Sequence, residues 1–184
     1  MAVQKVIRMG HPTLRKTAKK FSKREITSPE TAQLLQDMFD TMIAEGGIGI
    51  AAPQIDVPRS VAMIQIEPDQ ECYDTDEEIP MVVFFNPEIE VLDKTPQGFW
   101  EGCLSVPGLR GYVERPKHVK VTYLDTEGEK QELIAEGFIA TVVQHELDHL
   151  FGKLYVDRIT DKKKLMFEEE YQKYHQSDDH PALD

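Results

Sequence analysis

The sequence predicts an α+β domain in which mixed or antiparallel strands pack around a central helix. Three observations carry this reading. Residues 29–43 and 137–149 place apolar side chains three and four apart, the period of a helix. Between them, from about residue 60 to 135, the period falls to two, as in strands separated by turns. Strands and helices do not alternate regularly, which argues against a βαβ sheet.

A short opening helix is expected from Pro12 to Phe21. The next is better marked. Ser28 can accept hydrogen bonds as N-cap and Pro29 suits the first helical position. Leu34, Leu35, Met38, Phe39, Met42 and Ile43 then share a face, and Gly46-Gly47 stops the helix. Ser60–Ile66, Val82–Leu92, Gly98–Gly102, Val119–Leu124 and Gln131–Ala135 read as strands, with Pro80–Asn86 apolar enough to be buried. Asp125-Thr126-Glu127-Gly128 makes a turn between two of them. From Gly137 the helical period returns: Phe138, Val142, His145 and His149 share a face, and Gly152 sits where a C-terminus favours glycine. A last helix is expected from Asp161 to His175, followed by a loose acidic tail.

The chain has 184 residues and a formal net charge of −12. That charge repels phosphate backbones, so nonspecific nucleic-acid binding is not expected. The acidic runs Glu67–Glu78 and Glu168-Glu169-Glu170 with Asp178-Asp179 read as solvated loop and tail. No apolar run approaches the roughly 20 residues of a membrane span, and the N-terminus carries no apolar signal region, so the expected location is the cytoplasm. Two cysteines, Cys72 and Cys103, are too few for a disulfide framework.

Gln144-His145-Glu146-Leu147-Asp148-His149 contains H-E-x-x-H. Histidines four apart on a helix lie one turn above another, so both imidazoles can reach one ion. Glu146 then stands where a general base would act on water. The same spacing also arises by chance on an exposed helix, but the apolar residues Phe138, Ile139, Val142 and Val143 upstream argue for burial, and buried histidines need partners. Asp148 and Gln144 read either as groups supporting the site or as solvent-facing residues. A hydrolytic site of this kind usually has three protein ligands. Downstream only His175 and His180 remain, both in a polar tail, so the third ligand is sought upstream. Glu101-Gly102-Cys103-Leu104-Ser105-Val106-Pro107-Gly108 offers a thiol at a strand end, which serves equally as a ligand or as a buried core thiol.

Three segments together resemble the peptide deformylase (polypeptide deformylase) family: Gly47-Ile48-Gly49-Ile50-Ala51-Ala52-Pro53-Gln54, Glu101-Gly102-Cys103-Leu104-Ser105, and Gln144 to His149. They occur in the family's order, and the likeness runs from Gly10-His11-Pro12-Thr13-Leu14-Arg15 to Leu154-Tyr155-Val156-Asp157. The resemblance implies a single catalytic domain over 1–184, with a core of about residues 4–160 and residues 161–184 as C-terminal helix and tail. It implies removal of the N-formyl group from the formyl-methionine of nascent polypeptides. Cys103, His145 and His149 would hold one divalent ion, Fe²⁺ in the cell, with Zn²⁺, Ni²⁺ or Co²⁺ able to substitute. Glu146 would transfer protons, and Gln54 and the Leu104 N–H would donate to the formyl oxygen, the alternative for Gln54 being structural pairing in a buried turn. Ile48, Gly49 and Gly102 would hold the peptide backbone, while Ile48, Phe99 and Val142 would form an apolar pocket for methionine; each of these three also suits plain core. Glu101 and Arg110 would pair and brace the site, the alternative being a surface salt bridge.

Two departures are visible. Ile66–Pro80 is long and acidic for the family, and Lys162-Lys163-Lys164 gives way at once to acidic residues. Some relatives dock on the ribosome through a basic C-terminal helix, so a weaker, salt-sensitive contact is expected here. Two rival readings are an H-E-x-x-H peptidase cutting internal bonds and a peptide-binding module without turnover.

Overall fold

A computed structural model of the chain describes residues 3–66, 79–176 and 182–183. The expected opening helix is reduced to a 3₁₀ turn, Pro12–Arg15, followed by one α-helical turn, α1 (Lys23–Ile26), capped by Ser22 with Glu25 in a capping box. Helix α2 (Pro29–Ala44) starts as expected, with Ser28 Oγ accepting from Thr31 N, and ends before Gly46, whose φ of +71° suits only glycine comfortably. Its Met38 and Met42 are fully buried, contributing about 1.5–3 kcal/mol each. Ile43, expected on the same face, is instead exposed.

Strands β1 (Gly49–Ala51), β2 (Val61–Ile66), β3 (Ile79–Glu101), β4 (Leu109–Leu124) and β5 (Lys130–Glu136) form an antiparallel sheet in that spatial order. The two segments expected at Val82–Leu92 and Gly98–Gly102 are one strand, β3. It stays paired with β4 through Asp93–Pro96 by register shifts that bend it. In the apolar run from Pro80 only Phe84 and Phe85 are fully buried. They face opposite ways: Phe84 joins the cluster around α3, and Phe85 the cluster under α2.

Helix α3 (Gly137–Leu150) lies at the centre, with every residue from Ala140 to Leu150 buried. A helix surrounded by protein must satisfy each polar side chain it carries. The expected C-terminal helix is broken up. After a 3₁₀ turn, Lys162–Lys164, strand β6 (Leu165–Phe167) pairs with Leu109–Gly111, and only Glu168–Tyr174 is helical, as α4. Pairing with the open end of β4 outweighs helix propensity there. A short strand β7 (Ala182–Leu183) runs parallel to Trp100–Glu101. Among the described residues no helix is long and apolar enough to cross a membrane. Cys72, the acidic run 67–78, Asp178-Asp179 and His180 lie outside the described residues.

Candidate metal centre

The sheet and α3 bring three distant segments together. The turn after β3 carries Cys103, closed by a hydrogen bond from Val106 N to Cys103 O of 2.8 Å. Helix α3 supplies His145 and His149, and their ligand atoms and Cys103 Sγ all lie within 4.8 Å of one another. All three side chains are buried, and Cys103 Sγ stands 3.4 Å from His149 Nε2. Among the described residues His149 Nδ1 has no hydrogen-bond partner. One sulfur and two imidazoles converging from buried side chains suit a divalent transition ion or zinc far better than calcium or magnesium.

His145 is aimed from behind. Its Nδ1 lies 2.8 Å from Glu101 Oε2, which leaves Nε2 to face Cys103 and His149. Glu101 is completely buried and receives two further bonds from Arg115, Nε to Oε1 at 2.7 Å and Nη2 to Oε2 at 2.9 Å. Arg115 also donates to Asp148 Oδ2 at 2.8 Å, and Arg158 closes the chain by pairing with Asp148. Burial works against a charge on Glu101, but the Arg115 guanidinium overrides it and holds the carboxyl at about 2. Burial likewise opposes the charged form of His145, yet Cys103 and Glu101 beside it push it well above its ordinary value. His149 is driven down to about 3 by burial and by the charge on His145.

The expected Glu101–Arg110 pair is therefore corrected. Glu101 sits opposite Gly111 in the β3–β4 register, so their side-chain positions share a face. Arg115 is four residues from Gly111 and keeps that face, whereas Arg110 is one residue away and points to the other. Arg110 bonds Glu168 of α4 instead. Arg115, Asp148 and Arg158 form a brace that the sequence reading did not assemble. Asp148, inside the H-E-L-D-H run, was its one visible member.

Glu146 lies beside the cluster with its Oε2 buried and without a partner among the described residues. Burial pushes its carboxyl up to about 7. Strand β1 passes so close that a Cβ on Gly49 would meet the Glu146 carboxyl carbon and Oε1 at 2.6 Å. Gly49→Ala should therefore displace that carboxyl and lower kcat about a hundred-fold, with metal content unchanged. Parallel turnover and metal assays on the variant check this, and wild-type kcat would show that the carboxyl has room to move.

Gln54 reaches the site from the 3₁₀ turn Ala52–Ile55. Its Oε1 accepts from Ala51 N at 2.8 Å, which fixes the amide so that Nε2 faces Cys103 Sγ at 3.6 Å. Leu104 follows Cys103 and is half-buried at a cleft of about 360 Å³ that opens on the cysteine. Gly102 lines the same cleft. Ile48 and Val142 are buried in one cluster with Phe138, and the half-buried Phe99 packs against it with its ring edge-on to Phe138. Gln144, one of the two ambiguous helix residues, donates to Pro116 O at 2.8 Å.

Residues 3–165 match the family described as Polypeptide deformylase. The peptide deformylase of Leptospira biflexa is 45% identical over 170 residues, covering 92% of this chain and 95% of that protein. Peptide deformylase 2 of Pseudomonas syringae pv. tomato is 41% identical over 165 residues, 90% of this chain and 92% of its own length. Among solved structures, the class I type b peptide deformylase of Acinetobacter baumannii with Met-Ala-Ser bound is 41% identical. It superposes with a TM-score of 0.82, covering 86% of this chain and 99% of that one. The Synechococcus elongatus peptide deformylase in complex with actinonin gives 0.77 at 37% identity, over 88% of this chain and 81% of that chain. The chain belongs to the polypeptide deformylase family.

Proposed function

We propose that this chain, acting as one catalytic domain, hydrolyses the N-formyl group of formyl-methionyl nascent polypeptides, with Cys103, His145 and His149 holding a divalent ion, Fe²⁺ in the cell. The observation that carries the reading is the buried convergence of a thiol and two imidazoles beside the orphaned, elevated carboxyl of Glu146. A divalent ion held there supplies Lewis acidity, polarising oxygen and acidifying water.

The remaining chemistry belongs to the chain. Glu146 takes a proton from water as the water oxygen attacks the formyl carbon, and its buried carboxyl beside the cluster is placed to accept that proton and to return it. As charge grows on the formyl oxygen, Gln54 Nε2 and the Leu104 N–H donate to it; the bond from Ala51 N that directs Gln54 Nε2 toward Cys103 supports this role. Glu146 then gives the proton to the amine nitrogen, the C–N bond breaks, and formate and a free N-terminus leave. Ile48, Gly49 and Gly102 offer backbone groups to the peptide as an added strand. Phe99, with Val142 and Ile48 beneath it, offers apolar surface for the methionine side chain. Zn²⁺, Ni²⁺ or Co²⁺ fit the same donors. The proposed location is the cytoplasm. Ribosome contact would run through the exposed Lys162, Lys163 and Lys164 and be weak and salt-sensitive.

The direct test is formate release from formyl-Met-Ala-Ser by protein loaded anaerobically with Fe²⁺, beside an acetyl-Met peptide. Formate from the first and no acetate from the second is expected. Cleavage of an unformylated internal bond would favour the peptidase alternative, and tight peptide binding without formate the binding module. Cys103→Ala should lose stoichiometric metal at neutral pH, measured by elemental analysis after gel filtration. Full metal retention would remove Cys103 from the ligand set.

A further inference from the structure

The net charge of −12 conceals a segregation. Eight of the 21 Lys and Arg residues lie within residues 1–24, which contain no Asp or Glu. The other 13 share residues 25–184 with all 33 acidic residues. Folding turns the basic run outward: Leu14, Ala18 and Phe21, spaced four and three apart, are buried, while all eight cations are exposed. The strip is pinned by its backbone. Ala18 N donates to Leu150 O and Lys19 N to Pro58 O, each at 2.9 Å, and Asn86 bonds both Phe21 N and Phe21 O at 2.8 Å. Arg15, Lys20 and Lys23 pair with Asp157, Glu88 and Glu129. Among the described residues Lys5, Arg8, Lys16, Lys19 and Arg24 have no ion-pair partner. Lys5 and Arg8 line a concave cleft of about 790 Å³ beside the catalytic one, and Leu104 and Pro107 line both. Farther along, Thr17 bridges to Phe151, which is 46% exposed; Lys16 adjoins the first and Lys153 lies two residues beyond the second, both exposed.

We infer that this N-terminal strip is a docking surface for single-stranded RNA, its unpaired cations taking phosphates and Phe151 offering a face to a base. A phosphate backbone gains affinity by exchanging condensed counterions for Lys and Arg, and a base stacks on an exposed ring whatever its identity. An exposed charge reaches about 10 Å at 0.1 M salt, so carboxylates on other faces do not cancel the strip. A bilayer is anionic too, but its flat surface does not enter the cleft where Lys5 and Arg8 stand. The strip is also extended chain around one 3₁₀ turn, not an amphipathic helix with an apolar face to insert. For one face of the molecule this reverses the expectation drawn from the net charge. The surface is separate from Lys162–Lys164 and does not depend on the deformylase reading.

The experiment follows the fluorescence anisotropy of a labelled oligo(U) of about 20 nucleotides titrated with the metal-loaded protein at about 50–300 mM KCl. Wild type should bind with Kd about 10 μM at the lowest salt, and log affinity should fall against log salt with a slope of about −3, four or so phosphates being neutralised. Replacing Lys5, Arg8, Lys16 and Lys19 together by Ala should weaken binding at least about tenfold and flatten that slope. Phe151→Ala should weaken it about fivefold and leave the slope unchanged, because stacking releases no counterions. All five side chains are exposed, so both variants should melt with wild type, and the losses then belong to the surface and not to the fold. No binding by wild type at the lowest salt would overturn the inference. Binding that survives the fourfold variant but is lost when Lys162, Lys163 and Lys164 become Ala would move the contact to the C-terminal turn. Capture by phosphatidylglycerol vesicles with none of the oligonucleotide would give the strip to a lipid surface instead. Failure to release formate would sink the deformylase reading and leave this binding result standing.

Discussion

Glu146→Gln should cut formate release about a thousand-fold while leaving metal stoichiometry unchanged. Glutamine keeps the size and one hydrogen-bonding oxygen of the side chain, and none of the ligand atoms of Cys103, His145 and His149 is touched. Only the ability to accept and return a proton is removed. The same substitution carries a second, independent signature. The Glu146 carboxyl is raised by burial from the ordinary 4.5 to about 7. A carboxyl raised on folding contributes stability that is fully present below its unfolded value and lost as pH climbs through its folded value. Glutamine does not titrate, so metal-free Glu146→Gln should melt higher than metal-free wild type at pH 8, and the advantage should shrink towards pH 5. Activity and metal content follow from formate and elemental assays, the stability pattern from thermal melts at the two pH values. Turnover near wild type would remove Glu146 from its proton-transfer role. A flat melting difference across pH would show that its carboxyl is not elevated in the folded chain.

Much of this was legible because the informative signals are local. The 3–4 spacing of Phe138, Val142, His145 and His149 is a property of one segment, and so are the Ser28-Pro29 start and the glycine stop of α2. Features set by pairing between segments were harder to read. Strand β1 is three residues long, too short for a period to show, yet its Gly49 sets how near the backbone comes to Glu146. Asp93-Lys94-Thr95-Pro96 reads as a break, but β4 keeps β3 extended through it. At the C-terminus a helical pattern yields to β6 because the end of β4 is open to it. The resemblance pointed to Arg110 as the partner of Glu101, whereas the structure has Arg115 there. Once the register is known the period-two rule chooses between them, but the sequence alone does not fix that register.

That choice sets the second large effect. Arg115→Met should lower the melting temperature by about 10 °C and weaken metal binding about tenfold. Methionine replaces much of the arginine stem, so the loss is chiefly of charge. The two carboxylates that Arg115 serves are not left equally bare. Asp148 keeps Arg158, with Nε to Oδ2 at 3.0 Å, whereas among the described residues Glu101 keeps only His145. A fully buried carboxylate stripped of its guanidinium costs about 3–5 kcal/mol, and the folded chain can relieve this by protonating it. In wild type the Glu101 carboxyl is held at about 2, so its contribution is complete above the ordinary 4.5 and lost only as pH falls towards 2. In the variant the sign reverses. Burial acts unopposed by Arg115, the folded carboxyl rises above its unfolded value, and the penalty grows as pH increases. The gap in melting temperature between wild type and Arg115→Met should therefore be wider at pH 8 than at pH 5. Adding Glu101→Gln to the variant removes the bare charge while keeping an oxygen for His145 Nδ1, and should recover part of the lost stability. A double variant no more stable than Arg115→Met alone would place the cost in lost packing, and the Glu101 charge would then not be what Arg115 is there to hold.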